Sequence, residues 1–370
     1  MRGLTRNISG RGNRHLHALD RYAGIPLLLA LGAGRRRRSV PSAVRTIGVL
    51  NTAAIGDTIL MGAAIADLRS AYPEAQLIAF SAKGNAEATG LLTGLDGKIT
   101  LSLGNLAASI QQLRRYRLDL LLDFGPWPRI NAVLCALAGA NFTVGFRTAK
   151  QHRHYAYDAG VEHRSDVHEL DNHRNLVRAI GLEAWHLPLV NCRSESAPRQ
   201  TEKLIVFHLW PGGMRAELKE WPLERWARLA SELITECDRI ILTGAPGQFS
   251  ANETLLAMIK SPLRSRFKNA AGLPLDATAS LLEHASLVVS VNTGIMHLAA
   301  ALGAPVVALH GPTSVRRWGP IGPRALAIES PCRGCGFLDL GFEYRHKPRR
   351  CMEAIPYRMV REACARFLNC

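Results

Sequence analysis

Asp57, Lys219 and the stretch from Asn292 to His297 are the side chains best placed by type and spacing to do chemistry, because each follows an apolar run. In Asn51-Thr-Ala-Ala-Ile-Gly-Asp57-Thr58, small residues and Gly56 let the chain turn tightly and leave a carboxylate where a helix begins. Asp57 can cap that helix and meet its dipole, or it can take a proton from a substrate hydroxyl as a general base. In Trp210-Pro-Gly-Gly-Met-Arg-Ala-Glu-Leu-Lys219-Glu-Trp221-Pro222, Gly212 and Gly213 permit close approach of a ligand to the backbone. Lys219 is either a solvated surface charge or an ammonium for a diphosphate. In Val291-Asn292-Thr293-Gly294-Ile-Met-His297, a buried strand ends in a small turn and a helix starts at once. Helix-start N–H groups and the positive dipole end make this an anion site. A second turn, His310-Gly311-Pro312-Thr313-Ser314, follows the next strand and belongs beside it.

These turns need elements to hold them, and the pattern supplies strand, loop and helix in alternation. Residues 46–50, 76–80 and 118–124 read as buried strands, with a helix over 58–71. A second series has strands at 203–208, 239–242, 287–291 and 305–309 and helices over 223–235, 250–260 and 295–302. Apolar strands alternating with helices predict parallel sheets covered on both faces. Ligands in such sheets bind at the carboxyl ends of the strands, where the three motifs fall. The expected organisation is an N-terminal segment 1–45, a first α/β domain 46–190, a polar linker 191–202 and a second α/β domain 203–370, with a cleft between the two.

A chain of 370 residues with 47% hydrophobic and 21% charged residues has enough apolar material for two cores. The net charge of +16 is uneven: residues 1–45 hold ten Arg and one acid, Asp20, leaving +7 for the rest. The apolar stretch 23–33 is too short to span a bilayer, and the four arginines 35–38 stand where a secretory signal needs a cleavage site. Short apolar stretch and polybasic run together suit the inner face of an anionic membrane. The alternative is a packed N-terminal helix beside a solvated charge run. Nucleic acid is not an expected partner, since the basic run lacks interleaved aromatics.

Gly56-Asp57 at a helix start, Lys219-x-Trp221-Pro222, Asn292-Thr-Gly-x-x-His297-Leu-Ala-Ala-Ala-Leu-Gly and Gly311-Pro-Thr, in that order, resemble glycosyltransferase family 9, which includes the ADP-heptose:lipopolysaccharide heptosyltransferases. The resemblance implies the GT-B fold, two Rossmann-like domains facing each other across a cleft. It also implies an inverting, metal-independent transfer, with acceptor on the N-terminal half and nucleotide-sugar on the other. By position, Asp57 matches the family's proposed base and Lys219 its donor-phosphate lysine. Thr293, Gly294 and His297 match the donor loop, and Gly311, Pro312 and Thr313 lie alongside it. Asn292 stands where many members have Asp; Asn can hydrogen-bond sugar hydroxyls but cannot accept a proton. Gln248 and Glu253 are further candidates for the nucleoside pocket.

The expected reaction is a single displacement: Asp57 deprotonates an acceptor hydroxyl while Lys219 and loop amides hold the departing nucleoside diphosphate. The donor is expected to be ADP-heptose or similar. The acceptor is an anionic lipid-linked glycan, received by Arg147, Arg153 and His154, and the enzyme works at the inner face of the cytoplasmic membrane. No cofactor is required, and the sequence has no Asp-x-Asp, dinucleotide or Walker motif. Cys332, Cys335, His346 and Cys351 form a candidate structural zinc site, with reduced thiols or a disulfide as alternatives. Rival readings are a nucleotide-sugar epimerase or hydrolase of the same architecture, and a catalytically silent nucleotide-sugar or membrane-binding scaffold.

Overall fold

The computed structural model describes residues 20, 22–33, 37–192, 202–213, 215–332 and 350–368. The chain forms two compact units, divided between Leu189 and Val190. Most of the linker proposed at 191–202 lies outside the described residues.

The first unit carries the strands β1 (Thr46–Leu50), β2 (Gln76–Ala82), β3 (Gly97–Leu101), β4 (Leu120–Asp123), β5 (Phe142–Arg147) and β6 (Ala159–Glu162). They form one sheet in the order β3-β2-β1-β4-β5-β6. All its pairings are parallel, for example Val49 with Ala79 and with Leu122. Its helices are α1 (Gly24–Gly32), α2 (Ile55–Ala71), α3 (Ala86–Leu91), α4 (Leu106–Arg115), α5 (Arg129–Leu137) and α6 (Glu169–Arg178). β1 and β4 are buried because helices cover both faces of a parallel sheet. The strands β3, β5 and β6 carry little of the apolar signal that marks β1, and the sequence pattern does not single them out.

The second unit repeats this winding. Its strands are β7 (Leu204–His208), β8 (Arg239–Gly244), β9 (Phe267–Ala271), β10 (Leu287–Val291), β11 (Val306–His310) and β12 (Ala325–Glu329). The order β12-β11-β10-β7-β8-β9 is the first sheet's order read from the other edge, again all parallel. Helices α7 (Leu223–Leu233), α8 (Phe249–Met258), α9 (Leu275–Glu283), α10 (Gly294–Ala301), α11 (Val315–Trp318) and α12 (Tyr357–Leu368) cover it. Its core gathers Phe207, Trp221, Trp226, Val289 and Leu309. Two Rossmann-like α/β units are therefore present, as the GT-B class requires.

The described part of the N-terminal segment packs on the first unit. Leu28 of α1 is fully buried in that unit's core with Phe80, Leu121 and Tyr157. Asp20 pairs with Arg129 at the start of α5. Arg38 grips Asp158 with Nε at 3.1 Å and Nη2 at 2.7 Å, and Nη1 donates to the Ala140 carbonyl at 2.7 Å. Against the upward push of burial, the Arg38 and Thr143 hydrogen bonds lower the Asp158 carboxyl to about 2. The packed-helix alternative thus describes α1, while residues 1–19 and 34–36 lie outside the described residues. No helix among the described residues is long and apolar enough to cross a membrane.

Candidate active site

In each sheet the winding direction reverses between two adjacent strands, β1 and β4 in the first and β7 and β10 in the second. At such a switch point the loops leaving the two strands diverge to opposite faces and open a crevice at their carboxyl ends. Asp57 follows β1, Gly212, Gly213 and Lys219 follow β7, and Asn292 to Gly294 follow β10, so these residues sit at the two points.

In the first unit the loop after β1 enters α2. The helix cap is Ala54, which supplies no side-chain bond, so Asp57 is not the cap. It lies in the first turn, 8% exposed, where the helix dipole favours a carboxylate. The loop is held by neutral side chains. Asn51 Oδ1 accepts from Ala53 N–H at 3.0 Å, and Asn85 Nδ2 donates to Asn51 O at 2.8 Å and Thr58 Oγ1 at 2.9 Å. Thr52 Oγ1 donates to Asn131 Oδ1 at 2.6 Å, and Asn131 Nδ2 donates to Asp123 Oδ1 at 3.1 Å. Asp123 closes β4, so both switch-point strands are tied through one network. Sequence reasoning missed Asn51, Asn85 and Asn131 as supports; their only signal was an amide beside the end of an apolar run.

Arg153, expected to meet an acceptor, is instead fully buried and ion-paired with Asp123. Tyr157 OH also donates to Asp123, at 2.6 Å. Burial pushes the Asp123 carboxyl up, and Arg153, Tyr157, Asn131 and the Gly125 N–H pull against it. Arg153 is 0% exposed and its Nη2 donates to Asp123 and Tyr157, so it sits in the core of the first unit and not at an acceptor-facing surface. Arg147 ends β5 and is exposed, and His154 is half-buried with no hydrogen-bond partner for its Nδ1 among the described residues. A Cβ on Gly160 would meet both residues, at 2.9 Å from His154 Cβ and 3.7 Å from Arg147 Cβ, so the two flank one spot. Burial, then the charges of Arg147, His152 and Arg37, lower the His154 pKa, which favours the neutral ring.

In the second unit the loop after β7 carries Gly212 and Gly213, both exposed, with no atom of a described residue beyond their chain neighbours within 4 Å of where a Cβ would lie. Gly213 has φ 81°, so the turn itself demands glycine. Lys219 Nζ donates to the Gly212 carbonyl at 2.8 Å and so holds its ammonium over this turn. After β10, Thr293 holds the N-cap position of α10 without a side-chain cap bond, and its buried Oγ1 has no hydrogen-bond partner among the described residues. Such a hydroxyl beside a helix N-terminus suits a ligand oxygen. Gly294 opens the helix, and His297 is buried one turn on.

Asn292 is engaged within the protein. Its Nδ2 donates to Trp318 O at 3.2 Å and lies 3.3 Å from His310 Nδ1. Thr313 Oγ1 is 3.4 Å from the same ring nitrogen. Asn292, His310 and Thr313 therefore form one cluster linking the ends of β10 and β11 with α11, whose Arg317 is buried and stacks over Trp318 at 5.0 Å. Arg317 was not anticipated, since nothing in a four-residue helix marks a buried arginine. Gly311 is required by packing: a Cβ there would lie 2.4 Å from Met352 Sδ. Pro312 is buried beside it. Gln248 Oε1 accepts from Ala245 N–H at 2.7 Å, closing the turn after β8. Glu253, exposed, accepts from Asn269 Nδ2 at 2.6 Å, and both lie at the β8–β9 side of the sheet.

Of the proposed zinc ligands, Cys332 and Cys351 fall on described residues. Cys351 is buried and disulfide-bonded, which removes a thiolate from the set. Cys332 is half-buried, and Cys335 and His346 lie outside the described residues. No group of three or more metal-ligating side chains occurs among the described residues.

The pattern of the family described as "Glycosyltransferase family 9 (heptosyltransferase)" matches residues 106–336. Lipopolysaccharide heptosyltransferase 2 of Escherichia coli (strain K12) is 34% identical over 119 residues, 32% of this chain and 34% of that protein. The aligned part thus spans about a third of the length of that curated relative. Among solved structures, E. coli ADP-heptose lps heptosyltransferase II superposes with TM-score 0.70 at 21% identity, covering 88% of this chain and 98% of that one. E. coli heptosyltransferase WaaC with ADP superposes with TM-score 0.71 at 18% identity, covering 87% and 99%. At these identities the superpositions establish a common fold.

Proposed function

We propose a sugar transfer for this chain, which belongs to glycosyltransferase family 9 (heptosyltransferase). The donor is a nucleotide-sugar, ADP-heptose by the names of its relatives, and the acceptor is an anionic lipid-linked glycan of the lipopolysaccharide type. The enzyme works at the inner face of the cytoplasmic membrane.

The observation that carries this reading is the pair of switch-point crevices, one with a carboxylate and the other with anion-binding groups. Asp57 is the base: a buried carboxylate in a first helical turn can accept the acceptor hydroxyl proton as the oxygen attacks the anomeric carbon. Attack and departure in one step invert that carbon. On the donor side, the leaving diphosphate gains negative charge as the glycosidic bond breaks. Lys219, the exposed Gly212–Gly213 amides and the start of α10 with Thr293 Oγ1 are preorganised donors for that charge. The proton goes to Asp57, the sugar to the acceptor oxygen, and the nucleoside diphosphate leaves. The neutral Asn292 cluster ties the loops after β10 and β11 through His310 and Trp318, and Arg147, with the neutral His154 ring beside it, supplies positive charge for an anionic acceptor.

Thermal unfolding with ADP tests the donor side. A ligand at 100 times its dissociation constant stabilises by about 2.7 kcal/mol. No shift with ADP or with any other nucleoside diphosphate refutes the donor assignment. Sugar released into water with no acceptor modified would favour a hydrolase.

A further inference from the structure

The helix α1 presents an outward face without a polar side chain. Tyr22, Ala23, Pro26, Leu27, Leu29, Ala30 and Ala33 are the exposed positions of the described segment 22–33, and all are apolar or aromatic. Tyr22 is 76% exposed, Leu27 42% and Leu29 44%. At about 100° per residue the seven positions fall within an arc of about 160° opposite the buried Leu28, with Leu27 and Leu29 at its two edges. A helix lying on a globular surface normally turns polar residues outward, so this face is built for something other than water.

Its surroundings state the chemistry of the partner. The apolar surface continues into Tyr155, 41% exposed, whose Cβ lies 2.7 Å from where a Cβ on Gly32 would be. Tyr155 stacks near His154 and His152, at 4.3 and 6.3 Å between ring centres. Arg37 is exposed just beyond the helix, and Arg147 is exposed beside His154. At the other end, Arg129 lies against Gly24 and donates to the Lys150 carbonyl at 3.4 Å, bringing exposed Lys150 to the same edge. The single acid of residues 1–45, Asp20, is paired with Arg129. The result is an apolar face rimmed by cations with no unpaired carboxylate in its own segment.

We infer that the outward face of α1 with Tyr155 is an interfacial docking surface for anionic lipid, with Tyr22, Leu27 and Leu29 entering the headgroup boundary and Arg37, Arg147 and Lys150 meeting lipid phosphates. A nine-residue helix cannot span a bilayer, but an apolar face beside basic residues lies stably in the interface plane. A second copy of the chain is disfavoured as occupant, because a symmetric contact here would bring like charges together. Because α1 is locked to the first unit by Leu28 and the Arg38–Asp158 pair, docking orients the whole unit. The inference deepens the lipid-linked acceptor reading, and its test reads binding alone, so either can fail without the other.

The test uses the full chain and sedimentation with vesicles of phosphatidylcholine alone or mixed with phosphatidylglycerol. Wild type should pellet with the anionic vesicles, less at high salt, and weakly with neutral ones. A Leu27→Ser/Leu29→Ser variant should keep its melting temperature, since both side chains are exposed, and lose about tenfold or more in partitioning. A Leu29→Trp variant should gain a blue-shifted emission component with anionic vesicles. Wild type that does not pellet, equal pelleting of the double variant, or loss of a dimer in the variant in place of lost vesicle binding overturns the inference.

Discussion

Replacing Asp57 by Asn separates two roles that one carboxylate in a first helical turn can play. The substitution keeps shape and most hydrogen bonds and removes only the charge and the basicity. If Asp57 serves the helix alone, its charge in the dipole field is worth about 0.3–1 kcal/mol, and the variant loses that much stability with turnover unchanged. If it is the base, turnover falls by about 10²–10⁴-fold, which is about 3–5 kcal/mol in the barrier. The two magnitudes differ severalfold and appear in different measurements. Because Asp57 belongs to the first unit and the candidate diphosphate groups to the second, ADP affinity should stay within a few fold in either case. The assay pairs single-turnover release of ADP from ADP-heptose, in the presence of a lipid-linked glycan acceptor, with ADP titration and thermal unfolding. Full turnover in the Asn variant, or a loss of ADP binding matching the loss of rate, refutes the assignment. Lys219→Ala should behave oppositely, weakening ADP binding and slowing turnover together, because its charge meets the diphosphate before and during departure.

Stability should depend on acid through two buried histidines. His173 and His208 have pKa values lowered to about 4, chiefly by burial. Below the ordinary value of 6.5 the unfolded chain takes up protons that the folded one refuses, so stability drops as pH falls from 6.5 toward 4, by up to ~3 kcal/mol per group. Denaturant titrations across that range check this, and His173→Phe should flatten part of the slope. Arg38→Ala should cost about 2 kcal/mol by leaving the buried Asp158 carboxylate short of its partner, whereas deleting residues 1–19 should leave that pair intact; equal melting of the Arg38→Ala variant and wild type would show the contact contributes nothing. Gly311→Ala should lower stability by about 1–3 kcal/mol through the clash with Met352, and adding Met352→Ala should recover part of it.

The sequence alone carried the periodic features. Buried parallel strands are runs of Val, Ile and Leu, so β1, β7, β10 and β11 were legible to within one residue at each end, and with them the turns that hold Asp57, Lys219 and Thr293. It also carried the family resemblance, because glycine turns and capping residues are local requirements. Tertiary structure decided what depends on partners distant in the chain. Nothing local in Arg153 tells that it is buried against Asp123, thirty positions away, while Arg147 reaches solvent. The glycine at 311 reads as a ligand turn until Met352 is seen beside it. The stretch 23–33 reads the same whether it floats or packs. Contact with Tyr155 and burial of Leu28 fix it to the first unit, and that fixing leaves one uniformly apolar face outward. Composition specifies which side chains can be buried; only the packed chain specifies which of them are.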